Sequence, residues 1–294
     1  MQTPAVVVGT DGTEPGTAAV RWAATEAAYR RLPLRVVHVL DWDWSVSRYD
    51  YQGEYFDSAR RLAERTVREA ARRAKDLVPS LTVEFQVAVG RPVTSLARLS
   101  RSATLLAVGS RGEGGSAGWW LGSVSRRVVA HARCPVVVVR GRHAGPRDPV
   151  AVGVDDSGDA EPVLQVAFTT AHRHGVGVVA VRSYRPARLP AGDAGSPECD
   201  SVERDLLTAR LVPWRARFPD VPVDTLVSTD SVAATLAEVS HGTRLVVLGN
   251  HAHGLFSAAF HGSDATRVLR RAHCPVLVVQ EPRTRKDHHE STYR

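Results

Sequence analysis

The stretch LLAVGSRGEGGSAGWWLGSVSRRVVAHARCPVVVVR, residues 105–140, decides how the rest of the chain is read. Leu105 to Val108 is a short apolar run of the length of a strand buried on both faces, and it stops at Gly109, where turn residues take over. Gly109, Gly112, Gly114, Gly115, Gly118 and Gly122 follow within fourteen residues, so this backbone can take positive φ and lie against a ligand without Cβ interference. Gly122-Ser123 opens a predicted helix over 124–132. Its first N–H groups at Ser123 and Val124, the Ser123 hydroxyl and the positive end of the helix dipole favour an anion. The run from Cys134 to Val139 then reads as another buried strand. Strand, glycine loop, helix and strand in this order suit a phosphate chain. No lysine follows Gly122, which excludes the ordinary P-loop pattern Gly-x4-Gly-Lys-Ser/Thr.

Outward from this unit, buried-strand runs alternate with helical periodicity, the pattern of a doubly wound parallel sheet. Strands are predicted at 5–9, 34–39 and 83–89, and helices at 13–31, 59–77 and 92–100, the last with Pro92 in its first turn. Residues 41–58 carry Trp42, Trp44, Tyr49, Tyr51, Tyr55 and Phe56 without a clean period and read as a long loop. It either packs on the second helix or covers a ligand. The polar, Gly/Pro-rich segment GRHAGPRDP at 141–149 reads as a linker.

After the linker the pattern starts again. VVVGTDGT at Val6 to Thr13 recurs as VAVGVDDS at Val150 to Ser157, with Gly9 matched by Gly153 and Asp11 by Asp155. Farther on, an offset of 140 carries Gly109, Gly122, Ser123, Cys134 and Pro135 onto Gly249, Gly262, Ser263, Cys274 and Pro275. The chain is a tandem duplication, with domains expected at 1–142 and 149–281 and a polar tail at 282–294. The second copy departs from the first at an informative place. Ala252 stands where the first copy has Gly112, and Leu255 where it has Gly115.

The spacing Gly109-x2-Gly112-x9-Gly122-Ser123, with Asp11 on an earlier strand, resembles the nucleotide-binding signature of the universal stress protein family. The resemblance implies two tandem five-stranded parallel open-sheet α/β domains, strand order 3-2-1-4-5, of the adenine nucleotide alpha hydrolase-like kind. It also implies ATP, with Mg, as ligand. The implied site in the first half comprises Gly9, Asp11, Val39, Gly109, Ser110, Arg111, Gly112, Glu113, Gly114, Gly115, Gly122, Ser123 and Val124. In the second half it comprises Gly153, Asp155, Val181, Gly249, Gly262 and Ser263. Asp11 beside phosphates would repel them, so it is assigned to ribose hydroxyls or to Mg²⁺, with capping of the first helix as its structural alternative and Thr13 as a competing cap. Val39 is the position implied to read the adenine edge with its backbone. His38 reads as a hydrogen-bonded core residue. Arg111 either neutralises phosphate or points to solvent, and Trp119-Trp120 either anchor the loop or pack its tip on a partner.

Composition bounds the function. A net charge of +7 over 294 residues raises nucleic acid, but Arg60, Arg61, Arg65, Arg68, Arg72 and Arg73 are spread along one helix beside Glu64 and Glu69, the look of a solvated face. No specific nucleic-acid motif is present. No apolar run approaches the ~20 residues of a membrane span, and the N-terminus carries no signal pattern, so a cytoplasmic protein without a membrane partner is expected. Cys134 and Cys274 read as buried, leaving Cys199 as the candidate exposed thiol. The spacing of His241, His251, His253 and His261 fits no standard zinc pattern. No catalytic constellation is visible. The leading expectation is a stress-response regulator that binds ATP and an unnamed regulatory protein and is at most a slow ATPase; the alternative is a nucleotide-free interaction scaffold of the same fold. Bare valine-rich fifth strands, at 136–139 and 276–279, are expected to pair across a pseudo-twofold axis, making an intrachain pseudo-dimer, with a homodimer as the other assembly.

Overall fold

In the computed structural model, residues 3–42, 54–112, 121–141, 145–154, 160–184, 197–250 and 264–280 are described. The first half runs β1 (Ala5–Gly9), α1 (Glu14–Arg30), β2 (Leu34–Leu40), α2 (Glu54–Leu77), β3 (Val83–Val89), α3 (Pro92–Leu99), β4 (Ala103–Gly109), α4 (Ser123–His131) and β5 (Val136–Val139). The second repeats it as β6 (Val150–Gly153), α5 (Ala160–His174), β7 (Val178–Ser183), α6 (Pro197–Arg217), β8 (Val223–Ser228), α7 (Val232–Val239), β9 (Leu245–Gly249), α8 (Asp264–Arg271) and β10 (Val276–Val279).

All ten strands form one sheet in the order β3-β2-β1-β4-β5-β10-β9-β6-β7-β8, so each half has the 3-2-1-4-5 order expected of it. Within each half the strands are parallel. The apolar runs of the central strands β1, β4, β5, β6, β9 and β10 are buried on both faces because helices cover both. Alternation along each strand divides the core: Val6 and Val8 pack with α1, α2, α5 and α6 on one face, while Val7 packs with α3, α4, α7 and α8 on the other.

Local chemistry sets the element ends, with two departures from expectation. Thr13 caps α1, its hydroxyl accepting from the Gly16 N–H at 3.4 Å. Helix α2 begins at Glu54 rather than Ala59, with Glu54 and Asp57 in its first turn, where acids suit the helix dipole. Phe56 therefore belongs to the helix, and Trp42 meets its ring edge-on with centroids 5.1 Å apart, which favours packing over covering for this part of the aromatic segment. Residues 43–53 lie outside the described set. Strand β4 begins at Ala103 rather than Leu105, and the Thr104 hydroxyl donates to the Ala5 carbonyl at 2.8 Å.

The halves join through their fifth strands, as the sequence predicts. β5 and β10 are antiparallel, pairing Val138 with Val276, Val137 with Leu277 and Val136 with Val278. Pro135 and Val139 turn their carbonyls to β4, accepting from Leu106 and Ser110 at 3.0 Å each, so Val136 and Val138 turn their backbone to β10. The same reasoning turns Val276 and Val278 to β5. The junction thus has two hydrogen-bonded pairs flanking Val137 and Leu277, through which the pseudo-twofold axis passes. Around that axis the contacts are reciprocal: the Arg140 guanidinium donates to the Leu269 carbonyl, and Gln280 donates to the Val129 carbonyl at 3.1 Å, both partners shifted by 140.

Candidate functional site

The C-terminal ends of β1 and β4 lie side by side where the helices change face, the place at which open parallel sheets bind ligands. β1 ends at Gly9-Thr10-Asp11. The Thr10 N–H donates to the Val37 carbonyl at 2.9 Å, and its own carbonyl accepts from the Nδ1–H of half-buried His38 at 3.0 Å. His38 is therefore hydrogen-bonded, and it holds the end of the strand. Asp11 Oδ1 accepts from the Thr13 N–H at 3.1 Å and the Thr13 hydroxyl at 2.6 Å. With Thr13 serving as the cap, the carboxylate is positioned by the helix start without capping it.

The glycines of the β4 loop earn their place by closeness. A methyl on Gly112 would stand 2.6 Å from Asp11 Oδ2, and one on Gly109 would stand 2.7 Å from the Pro15 carbonyl at the start of α1. Neither glycine is among the described ones at positive φ, which are Gly12, Gly90, Gly141 and Gly175. What crowds a side chain at Gly112 is therefore not left-handed backbone but the Asp11 carboxylate. The loop returns to α4 at Gly122, whose N–H donates to the Ser110 carbonyl at 2.8 Å. Ser125 seals this joint by donating to the Gly122 carbonyl at 3.0 Å. Ser123 is exposed and Val124 half-buried at the N-terminal end of α4, on the same side as Asp11 and Gly112 in the topology.

Val39 completes the arrangement. Val37 and Val39 turn their backbone toward the β1 side, because Thr10 bonds to Val37 and Gly90 bonds to Leu40 on the opposite side. The last β1–β2 pair is Gly9 with Val37, so the Val39 N–H and carbonyl face the space past the end of β1. Arg111 does not simply point to solvent. It lines a cavity between the halves together with Arg140, a placement the sequence did not announce.

Residues 4–140 and 146–280 each match the model of the Universal stress protein family. The chain belongs to this family. A universal stress protein of Mycobacterium bovis and one of Mycobacterium tuberculosis are each 35% identical to it over 289 residues, covering 94% of this chain and 97% of the relative. The crystal structure of a universal stress protein from Archaeoglobus fulgidus matches it with a TM-score of 0.73 at 20% identity, over 95% of this chain and 99% of that one, a likeness of fold.

As a tandem universal stress protein, the chain repeats its scaffold more faithfully than its site. Gly153 faces Leu236 as Gly9 faces Leu96, with a built Cβ 3.2 Å and 3.1 Å away respectively. Ser240 accepts from the His273 N–H at 2.8 Å, as Ser100 does from Arg133. Yet Val181 pairs with Gly153 as Val37 pairs with Gly9, so the counterpart of Val39 is Ser183, and the choice of Val181 is corrected by two residues. Val181 is a core residue at 1% exposure. The counterpart of His38 is Arg182, which is buried and paired with Glu203 at 2.6 Å. Gly249 closes β9 beside Val279. Glu113, Gly114, Gly115, Trp119, Trp120, Asp155, Ala252, Leu255, Gly262 and Ser263 lie outside the described residues, as do His251, His253 and His261. His241 stacks on His273 with centroids 3.7 Å apart, and among the described residues no group of three or more His, Cys, Asp or Glu could hold a metal. Burial pushes the Cys134 thiol up to about 12, so it stays a packed thiol; Cys274 is also buried and Cys199 partly exposed. No helix among the described residues is long and apolar enough to cross a membrane.

Proposed function

We propose that the first half binds ATP at the junction of β1 and β4, and that the chain acts in the cytoplasm as a nucleotide-loaded regulator of a protein partner. The observation that carries this reading is the fit of Gly112 against Asp11 Oδ2, where a methyl would have only 2.6 Å. A glycine set this close to a carboxylate brings the bare backbone and the acid within reach of one ligand. Asp11 has one oxygen committed to Thr13 and the other turned to the loop, which suits a ribose hydroxyl or a Mg²⁺ held chiefly by phosphate oxygens. The N–H groups of Ser123 and Val124 at the start of α4 suit the phosphates, and the outward backbone of Val39 suits the edge of adenine. Mg²⁺, when bound, would neutralise phosphate charge beside Asp11. No general base is assigned to a water molecule, so hydrolysis is slow or absent in this reading.

The second half is the weaker binder, because Ala252 carries the methyl for which the first half has no room at Gly112. The test is to incubate the purified chain with an equimolar mixture of nucleoside triphosphates and Mg²⁺, desalt it, and identify the released molecule by mass spectrometry. An adenine nucleotide is expected. Retention of none, or of all four alike, would overturn the reading and leave a scaffold without nucleotide.

A further inference from the structure

A cavity of 510 Å³ lies between α1 and α5 beside the strand junction, lined by both halves and within the ~300–1,000 Å³ typical of ligand sites. Arg21, Arg111, Arg140 and Arg244 line it, against the acids Glu14 and Glu26. Glu26 is already answered: Arg30 donates to one of its oxygens at 2.6 Å and His174 Nε2 to the other at 2.9 Å. Positive charge is therefore in excess. Two buried polar atoms on the cavity wall have no hydrogen-bond partner, Thr170 Oγ1 and His174 Nδ1, one turn apart on α5. Thr170 is 2% exposed and the His174 side chain 7%, so leaving both unpaired is costly unless something polar fills the space.

The repeat shows that this chemistry is not demanded by the fold. Counted from Gly9 and Gly153, which are 144 apart, Thr170 occupies the position of Glu26 and His174 that of Arg30. A symmetric pair of Glu-to-cation contacts is thus reduced to one, leaving the Thr170 hydroxyl facing the cavity. Likewise Arg140 matches Gln280 and Arg244 matches Thr104 at the offset of 140, so the arginines stand where the sibling positions are neutral. Burial, and then the nearness of Arg111, pull the Arg140 guanidinium below its ordinary value, and an anion between the two would relieve that repulsion.

We propose that this cavity is a second binding site, next to the nucleotide cradle and bordering it at Ser110 and Arg111, for a small polyanion of the phosphorylated-metabolite class. Arg244 and Arg21 would pair with its charge, the Thr170 hydroxyl would donate to its oxygens, and His174 Nδ1 would accept from a phosphate hydroxyl. Bound there, it would touch the β4 loop through Arg111 and the second half through α5 and β9.

The full chain is titrated calorimetrically with inorganic pyrophosphate. Wild type is expected to bind. Gly112→Ala, which alters the cradle, should bind equally well, whereas Arg244→Gln and Arg21→Gln should each lose about tenfold or more in affinity. Thr170→Val should weaken binding without lowering the unliganded melting temperature, since it removes an unpaired hydroxyl. Arg21 is exposed on α1, which keeps the test valid should Arg244→Gln fail to fold. No heat from wild type, loss of binding in Gly112→Ala, or full retention in the arginine variants would each overturn the proposal.

Discussion

At Gly112 a methyl would stand 2.6 Å from Asp11 Oδ2, and on the proposed reading this contact is what fits the loop to a ligand. Gly112→Ala should lower ATP affinity by about tenfold, or ~1.4 kcal/mol, with the far-UV circular dichroism unchanged; an affinity equal to wild type would contradict the assigned cradle. Glu26 is the other residue on which much depends. Burial raises its carboxyl, but the His174 hydrogen bond and Arg30 outweigh burial and hold it at about 2, against 4.5 in the unfolded chain. A lowered pKa stabilises the folded state above the unfolded value, and that stability is lost as pH falls from about 4.5 toward 2. The shift is worth on the order of 3 kcal/mol. Urea midpoints of wild type and Glu26→Gln should therefore differ at pH 7 and converge on acidification, whereas a constant gap would show that Glu26 does not titrate this way. Much of the residue scale was legible. His38 as a bonded residue followed from position, and Thr13 was one of the two caps the sequence offered. Strand parity was not legible, because the repeat offset changes from 144 to 140 between β6 and β9, and Val181 was chosen two residues early.

The strands announced themselves because a strand buried on both faces has to be an uninterrupted apolar run, and such runs in this chain have few other readings. The start of α2 did not, since aromatic residues at Tyr55 and Phe56 look alike in a loop and in the first turns of an amphipathic helix. The pairing of β5 with β10 was legible as two bare valine edges tethered in one chain. The reciprocal Arg140 and Gln280 contacts were hidden, because the two positions carry different side chains for the same task. Val138 turns its N–H to Val276, so Val138→Pro removes a ladder donor at the junction itself. It should cost ~3 kcal/mol or more, read from urea unfolding; wild-type stability would mean that the junction contributes nothing there.

In the whole molecule one sheet runs unbroken through both halves, and β5 and β10 at its centre are almost wholly buried. The halves should accordingly unfold together, giving one calorimetric transition whose van't Hoff enthalpy equals the calorimetric one; two separated transitions would show independent domains. The positive charge of the chain is in part spent internally. On α2, Glu69 accepts from Arg72 and Arg73 at 2.8 Å each, and Arg72 also reaches Asp76 at 2.7 Å, which is the solvated face the sequence suggested. What joins these scales is the claim that duplication kept two scaffolds and one strong nucleotide site. Calorimetric titration of the full chain with ATP and Mg²⁺ tests it most directly. One tight site per chain is the expected result; no binding, or two sites of equal affinity, would contradict the account.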